Sequence, residues 1–135
     1  MIQLNYRDAR PLYEQIKEKL RYLILSGALV CNTILPSVRE FAQTLTVNPN
    51  TIQKAYRELE LEGYIYSVKG KGSFVARQDK SSSFYQHQID NLLVNLNGIL
   101  TELFYLDYPE SLIHQHIETF FTNSQKQQEG QKHEC

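Results

Sequence analysis

Apolar residues recur along this chain with a helical period in some stretches and a strand period in others. Across residues 11–26, Leu12, Ile16, Leu20, Leu23 and Ile24 fall at steps of three and four, with Lys17, Glu18 and Arg21 on the other side. That pattern predicts an amphipathic helix, with Pro11 suited to its first turn and Gly27 to its stop. A loop containing Asn32 and Pro36 follows. Ser37 then predicts a helix start, with Glu40 as its capping-box partner and Val38, Phe41, Ala42 and Leu45 as the apolar face. After Thr46 and Val47, Asn48 and Pro49 have the chemistry of an N-cap and a first helical residue. Ile52, Ala55, Tyr56 and Leu59 face inward and Gly63 ends this third helix. Two helices joined by a tight turn, the second opened by polar residues, make a helix-turn-helix.

The period then changes. Residues 64–68 are β-branched or aromatic in the main and predict a strand, residues 69–72 a Lys-Gly-Lys-Gly turn, and residues 73–76 a second strand. A basic, glycine-rich hairpin behind a helix-turn-helix is a wing. It is not a phosphate loop, since no helix follows it and the Walker spacing is absent. Residues 79–83, Asp-Lys-Ser-Ser-Ser, form a polar linker. Beyond it, Ile89, Leu92, Leu93, Leu96, Ile99, Leu100 and Leu103 predict a long helix with a heptad-like seam, interrupted by Gly98. Asp107-Tyr108-Pro109 breaks it, and Ile113, Ile117, Phe120 and Phe121 mark one face of a last helix. From Ser124 the chain is polar and predicts a frayed tail.

The expected fold class is therefore α+β and mainly helical. A winged helix-turn-helix spans 1–78, a linker 79–83, a two-helix region 84–123 and a flexible tail 124–135. Two helices of this size cannot bury their own apolar faces well, so the expected partner is a second copy, with Ile89, Leu92, Leu96, Leu100 and Leu103 at the seam.

Composition adjusts this picture in three places. The 135 residues leave no room for a barrel or a two-domain enzyme. The net charge of −1 argues against a nucleic-acid partner until the chain is divided. Residues 1–79 hold 11 Lys and Arg against 8 Asp and Glu, a net of +3, and residues 80–135 hold 3 against 7, a net of −4. A basic working end and an acidic remainder result. No signal-peptide core and no apolar run near the roughly 20 residues of a membrane helix are present, so the expected location is the cytoplasm, with no membrane partner. Cys31 and Cys135 are too few and too far apart for a disulfide framework or a zinc site. His114 and His116, two apart, point to different sides of a helix, and neither His87 nor His133 completes a metal set. No cofactor, metal or catalytic constellation is expected.

Residues 11–77 closely resemble the winged-helix head of the GntR family of bacterial transcription regulators. The resemblance rests on Leu35-Pro36-Ser37-Val38-Arg39-Glu40, on Val47-Asn48-Pro49-Asn50-Thr51, on the run from Ala55 to Gly63, and on Gly70-Lys71-Gly72-Ser73-Phe74-Val75. Their order and spacing are specific, although each alone is weak. The Asn-Pro-Asn-Thr turn and the short two-helix region look like the YtrA-like subfamily. The larger effector domains and the aminotransferase-like domain of other members do not fit in the residues after the linker.

The resemblance implies a DNA-binding regulator, most often a repressor, that binds an inverted-repeat operator as a homodimer. It implies DNA contact by Ser37 and Arg39 at the start of the second helix. Asn48, Asn50 and Thr51 open the recognition helix, and Gln53 and Lys54 follow one turn in. Lys69, Gly70 and Lys71 form the wing tip, with Lys69 reaching the minor groove. Residue chemistry agrees: amides and cations hold phosphates, and Gln and Lys can read adenine and guanine edges. Arg39 has a plainer reading as an ion pair with Glu40 or a neighbour, and Asn48 as a cap. Many relatives carry arginine where Pro49 and Gln53 stand, so their base preference does not transfer. Tyr56 and Leu59 are expected in the core. The family also implies a small-molecule effector, with Phe104, Tyr105 and Phe120 as one place for it, although an aromatic core explains those residues equally well, and the subfamily implies an association with ABC-transporter genes. The competing expectation is a winged-helix protein-interaction module without specific DNA binding.

Overall fold

A computed structural model describes residues 2–128, which divide at Gln78 and Asp79 into two compact units. The first contains α1 (Leu12–Leu25), α2 (Val38–Leu45), α3 (Pro49–Leu61), β1 (Ile65–Val68) and β2 (Gly72–Val75). The second contains α4 (Ser83–Tyr105) and α5 (Glu110–Gln128). No helix among the described residues is long and apolar enough to cross a membrane.

Local signals set most of the boundaries. Ser37 caps α2 with a complete capping box: its hydroxyl accepts from the Glu40 amide at 3.1 Å, and the Glu40 carboxylate accepts from the Ser37 amide at 3.4 Å. Asn48 caps α3 by accepting from the Asn50 amide at 2.9 Å, with Pro49 as first helical residue. Helix α3 stops where Gly63 takes φ +83, its amide reaching Glu60 and that of Tyr64 reaching Leu59. Leu59 and Tyr64 are both buried, which completes a Schellman stop with its apolar contact. Pro11, expected inside the first turn of α1, sits just before it as the cap.

Buried side chains of α1 (Ile16, Leu20, Ile24), α2 (Phe41, Ala42) and α3 (Ile52, Ala55, Leu59) meet Tyr64, Ile65 and Val75 in one core. The strands pair antiparallel, with Ile65 opposite Val75 and Val68 opposite Gly72. Lys69, Gly70 and Lys71 make the turn, closed by the Lys71 amide on the Val68 carbonyl, with Gly70 at φ +79 where a side chain would be strained.

Two further features of the first unit depart from the sequence reading. The loop before Pro36 pairs along the outer edge of β2, beside the two-stranded sheet. The Asn32 amide donates to Val75, the Val75 amide to Thr33, and the Leu35 amide to Ser73, with Ile34 bridged to Phe74. The apolar run there is too short to signal a strand, and its partner lies some forty residues away. The other is the N-terminal segment. Ile2 is buried, and the buried Gln15 amide pins the backbone of Asn5. Gln15 accepts from the Asn5 N–H at 3.0 Å and donates to the Asn5 carbonyl at 3.0 Å, and it also donates to the Arg10 carbonyl at 3.3 Å.

In the second unit α4 starts at Ser83, with Ser82 as its cap, so the linker ends one residue sooner and the helix begins well before Ile89. It passes through Gly98 unbroken and stops at Asp107, which takes φ +58 while Tyr108 donates to Leu103 and Asp107 to Phe104. This is the same Schellman geometry as at Gly63, with Asp in place of Gly. Residues 124–128, expected as tail, continue α5, and residues 129–135, with His133 and Cys135, lie outside the described residues.

No side chain of α4 is buried within the chain. Of the expected seam, Ile89, Leu100 and Leu103 are half-buried and Leu92 and Leu96 exposed. Val94 and Tyr105, on the side of α4 away from that seam, are exposed too, so the helix is less one-sided than its seam implied.

Gln15→Leu strands the Asn5 amide without an acceptor and releases the N-terminal segment. The expected loss is about 1–3 kcal/mol in urea unfolding, with faster proteolysis inside residues 2–10. An unchanged midpoint would refute the role of this side chain.

Candidate nucleic-acid interface

The expected contact residues come from three places in the first unit. Ser37 and Arg39 stand at the start of α2, Asn48, Asn50, Thr51, Gln53 and Lys54 at the start of α3, and Lys69, Gly70 and Lys71 at the hairpin tip. Helix α3 turns Ile52, Ala55, Tyr56 and Leu59 into the core. Its helical period therefore turns Asn50, Gln53 and Arg57 toward solvent, and all three are exposed.

Thr51 is half-buried and lies at the margin of the core face. Lys54 leans toward α1, where its ammonium sits 3.9 Å from the centroid of the Tyr13 ring. That contact is worth about 0.5–1 kcal/mol at an exposed site, weak enough for a phosphate to compete. Arg57 was missed by the sequence reading. Its signal was the outward stripe itself, four residues on from Gln53 and seven from Asn50.

Charge is distributed so that the carboxylates of this unit are occupied and several cations are not. The Glu40 carboxylate accepts in the capping box and makes no ion pair with Arg39. Lys17 bridges α1 to α3 through Glu58, at 3.3 Å, and Glu62. Burial would discharge Lys17, but these two carboxylates outweigh it and raise its pKa, so it stays charged at neutral pH. Arg10 holds Asp8 and Glu18. Among the described residues Arg39, Arg57, Lys69 and Lys71 form no ion pair. A surface of exposed amides and unpaired cations is what phosphate binding requires.

Tyr56 sets where that surface sits. Its ring packs 6.3 Å from that of Phe41, and its hydroxyl donates to the Pro36 carbonyl at 2.7 Å. Pro36 directly precedes the Ser37 cap, so one buried side chain of α3 fixes the entry of α2 and with it Arg39. Burial, and secondarily the Glu40 charge, hold the Tyr56 hydroxyl protonated well above the usual tyrosine range. It therefore remains a donor at any working pH.

Residues 12–75 match the model of the bacterial regulatory proteins of the gntR family. The chain is 36% identical over 109 residues to the HTH-type transcriptional repressor YtrA of Bacillus subtilis (strain 168), covering 76% of this chain and 84% of that protein. Among solved structures it is similar to a transcriptional antiterminator from Listeria monocytogenes EGD-e. The TM-score is 0.78 and the identity 35%, with 89% of each chain covered. It is also similar to YtrA from Sulfolobus acidocaldarius, a GntR-family transcription factor. There the TM-score is 0.58 and the identity 29%, over 72% of this chain and 97% of that one.

Tyr56→Phe removes the donor and leaves the Pro36 carbonyl unpaired. Thermal or urea unfolding should show a loss of about 1 kcal/mol with the fold retained. A variant as stable as the parent would mean that α2 is held by packing alone.

Proposed function

This chain belongs to the GntR family of bacterial regulatory proteins, and we propose that it is a homodimeric repressor of transcription that binds an inverted-repeat operator. It is a DNA-binding regulator by family and not an enzyme. The observation that carries the finer reading is the set of unpaired cations and exposed amides on α2, α3 and the wing, in a unit whose carboxylates are engaged elsewhere. Helix α3 enters the major groove with Asn50 and Gln53 at base edges. Ser37, Arg39, Asn48, Thr51, Lys54 and Arg57 hold phosphates around it. Lys69, Gly70 and Lys71 reach the neighbouring minor groove.

The homodimer is supported by the second unit. Leu92, Leu96, Ile117, Phe120 and Phe121 are exposed, and an apolar surface of this extent is uncommon on a monomer. A second copy covers it through α4, and two-fold symmetry then sets the spacing of two half-sites. We place the protein in the cytoplasm, where the operator is, and regard an ABC-transporter operon as the target and a small molecule as its effector.

Selection from a random duplex pool at two salt concentrations tests the reading. An enriched inverted repeat is expected, and binding without enrichment would reduce the interface to phosphate contact. Lys69→Ala should weaken binding to every sequence and flatten the salt slope by about one unit. Gln53→Ala should instead relax the preference at one base pair, and an unaltered preference removes its assigned role. Dimerisation is tested apart from DNA. Leu96→Glu with Leu100→Glu is expected to give a monomer in sedimentation, with operator affinity reduced at least about tenfold. A dimer that survives both charges would move the interface off the seam.

A further inference from the structure

Glu60 is an acidic residue on the recognition helix, beside a wing that faces phosphates. A free carboxylate there would repel DNA. It is not free. Its Oε1 accepts from the Ser67 backbone N–H at 3.1 Å, and its Oε2 accepts from the Ser67 hydroxyl at 3.2 Å. Ser67 is the third residue of β1 and lies opposite Ser73 of β2, with the two hydroxyls 3.5 Å apart. The Ser67 proton goes to Glu60, so the Ser73 hydroxyl is the donor between the serines.

The strand geometry explains why this pair matters. The Lys71 amide bonds to Val68 and the Ala76 amide to Tyr64, so alternate residues of β1 pair with β2. Ser67 falls between them, and its N–H points away from β2, off the edge of the sheet. The opposite edge of the hairpin is held along the row of residues 32–35. A two-stranded hairpin is marginal without such support. On the β1 edge, the side-chain link to α3 is Glu60, and the wing tip begins two residues beyond its anchor.

We propose that Glu60 is a positioning residue that fixes the wing against the recognition helix. It thereby sets which base pairs α3 and the Lys69–Lys71 tip read together. The inference rests on the DNA-binding reading above, and Glu60 itself touches no DNA. A carboxylate suits the task because its two oxygens accept both Ser67 donors at once.

The test uses the full chain and two variants. Glu60→Gln keeps an oxygen for the Ser67 N–H and an amide group for its hydroxyl, and it removes one negative charge. Glu60→Ala removes the strut. Hydrogen exchange at the Ser67 amide should accelerate about tenfold or more in Glu60→Ala and little in Glu60→Gln. On the selected operator, Glu60→Ala should lose about tenfold in affinity and discriminate less between altered spacings of the α3 and wing contacts, while Glu60→Gln binds at least as well as the parent. If Glu60→Ala gains affinity as Glu60→Gln does, Glu60 acts through its charge and the proposal is overturned. If Glu60→Ala does not fold, Ser67→Ala replaces it: this variant keeps the amide and loses the hydroxyl bond, and parental affinity and spacing preference would overturn the proposal equally. A wild-type chain that binds no duplex overturns the DNA-binding reading instead, and the exchange contrast still decides whether the strut exists.

Discussion

The inner face of α3 is the constraint on which the DNA-binding unit depends. Helices α1 and α2 and strand β1 all pack against this one helix. Ile52, Ala55 and Leu59 are fully buried, and replacing a side chain such as Leu59 by Ala would cost about 2–5 kcal/mol. Because that face is spent on the core, the opposite face is left for solvent or for DNA. Rotation of α3 about its axis would expose the core and bury Gln53 and Arg57 together, so the identity of the outward face and the stability of the unit are fixed by the same contacts.

Polar groups around α3 complete what packing begins. Tyr56 reaches back to the Pro36 carbonyl, Lys17 joins α1 to Glu58 and Glu62, and Glu60 reaches Ser67. Each interaction joins α3 to a different neighbour. Together they occupy the acidic groups near the interface and leave Arg39, Arg57, Lys69 and Lys71 without ion pairs among the described residues. A chain with a net charge of −1 can thus present a cationic surface, because residues 1–79 carry a net of +3 and their carboxylates are held in other contacts. Placement of the carboxylates matters as well as their number.

The second unit follows a different logic. Its two helices bury little of each other, and α4 keeps apolar side chains on more than one side. The Schellman turn at Asp107 stops α4 with local hydrogen bonds alone, so the helix needs no core to end there. What it lacks is cover for Leu92, Leu96 and Phe120, which is the physical basis for reading it as an association surface.

The sequence by itself determined the elements whose signals are local. Ser37 with Glu40, Asn48 with Pro49, and Gly63 each specify a boundary within one turn of chain, and the period of Ile52, Ala55, Tyr56 and Leu59 specifies the buried face. Family resemblance, carried by the same local motifs, supplied the proposed contact residues on α2, α3 and the wing. Tertiary structure alone decided what depends on distant partners. Residues 32–35 make sheet-like hydrogen bonds only because β2 lies beside them, and Gln15 is buried only because the Asn5 backbone fills its hydrogen bonds. That Arg39 makes no ion pair with Glu40, and that Lys54 leans to α1 where Tyr13 stands, appear only in the folded chain. A hydrogen bond needs its partner within about 3 Å, and a one-dimensional pattern holds no such distance once the partners are many residues apart.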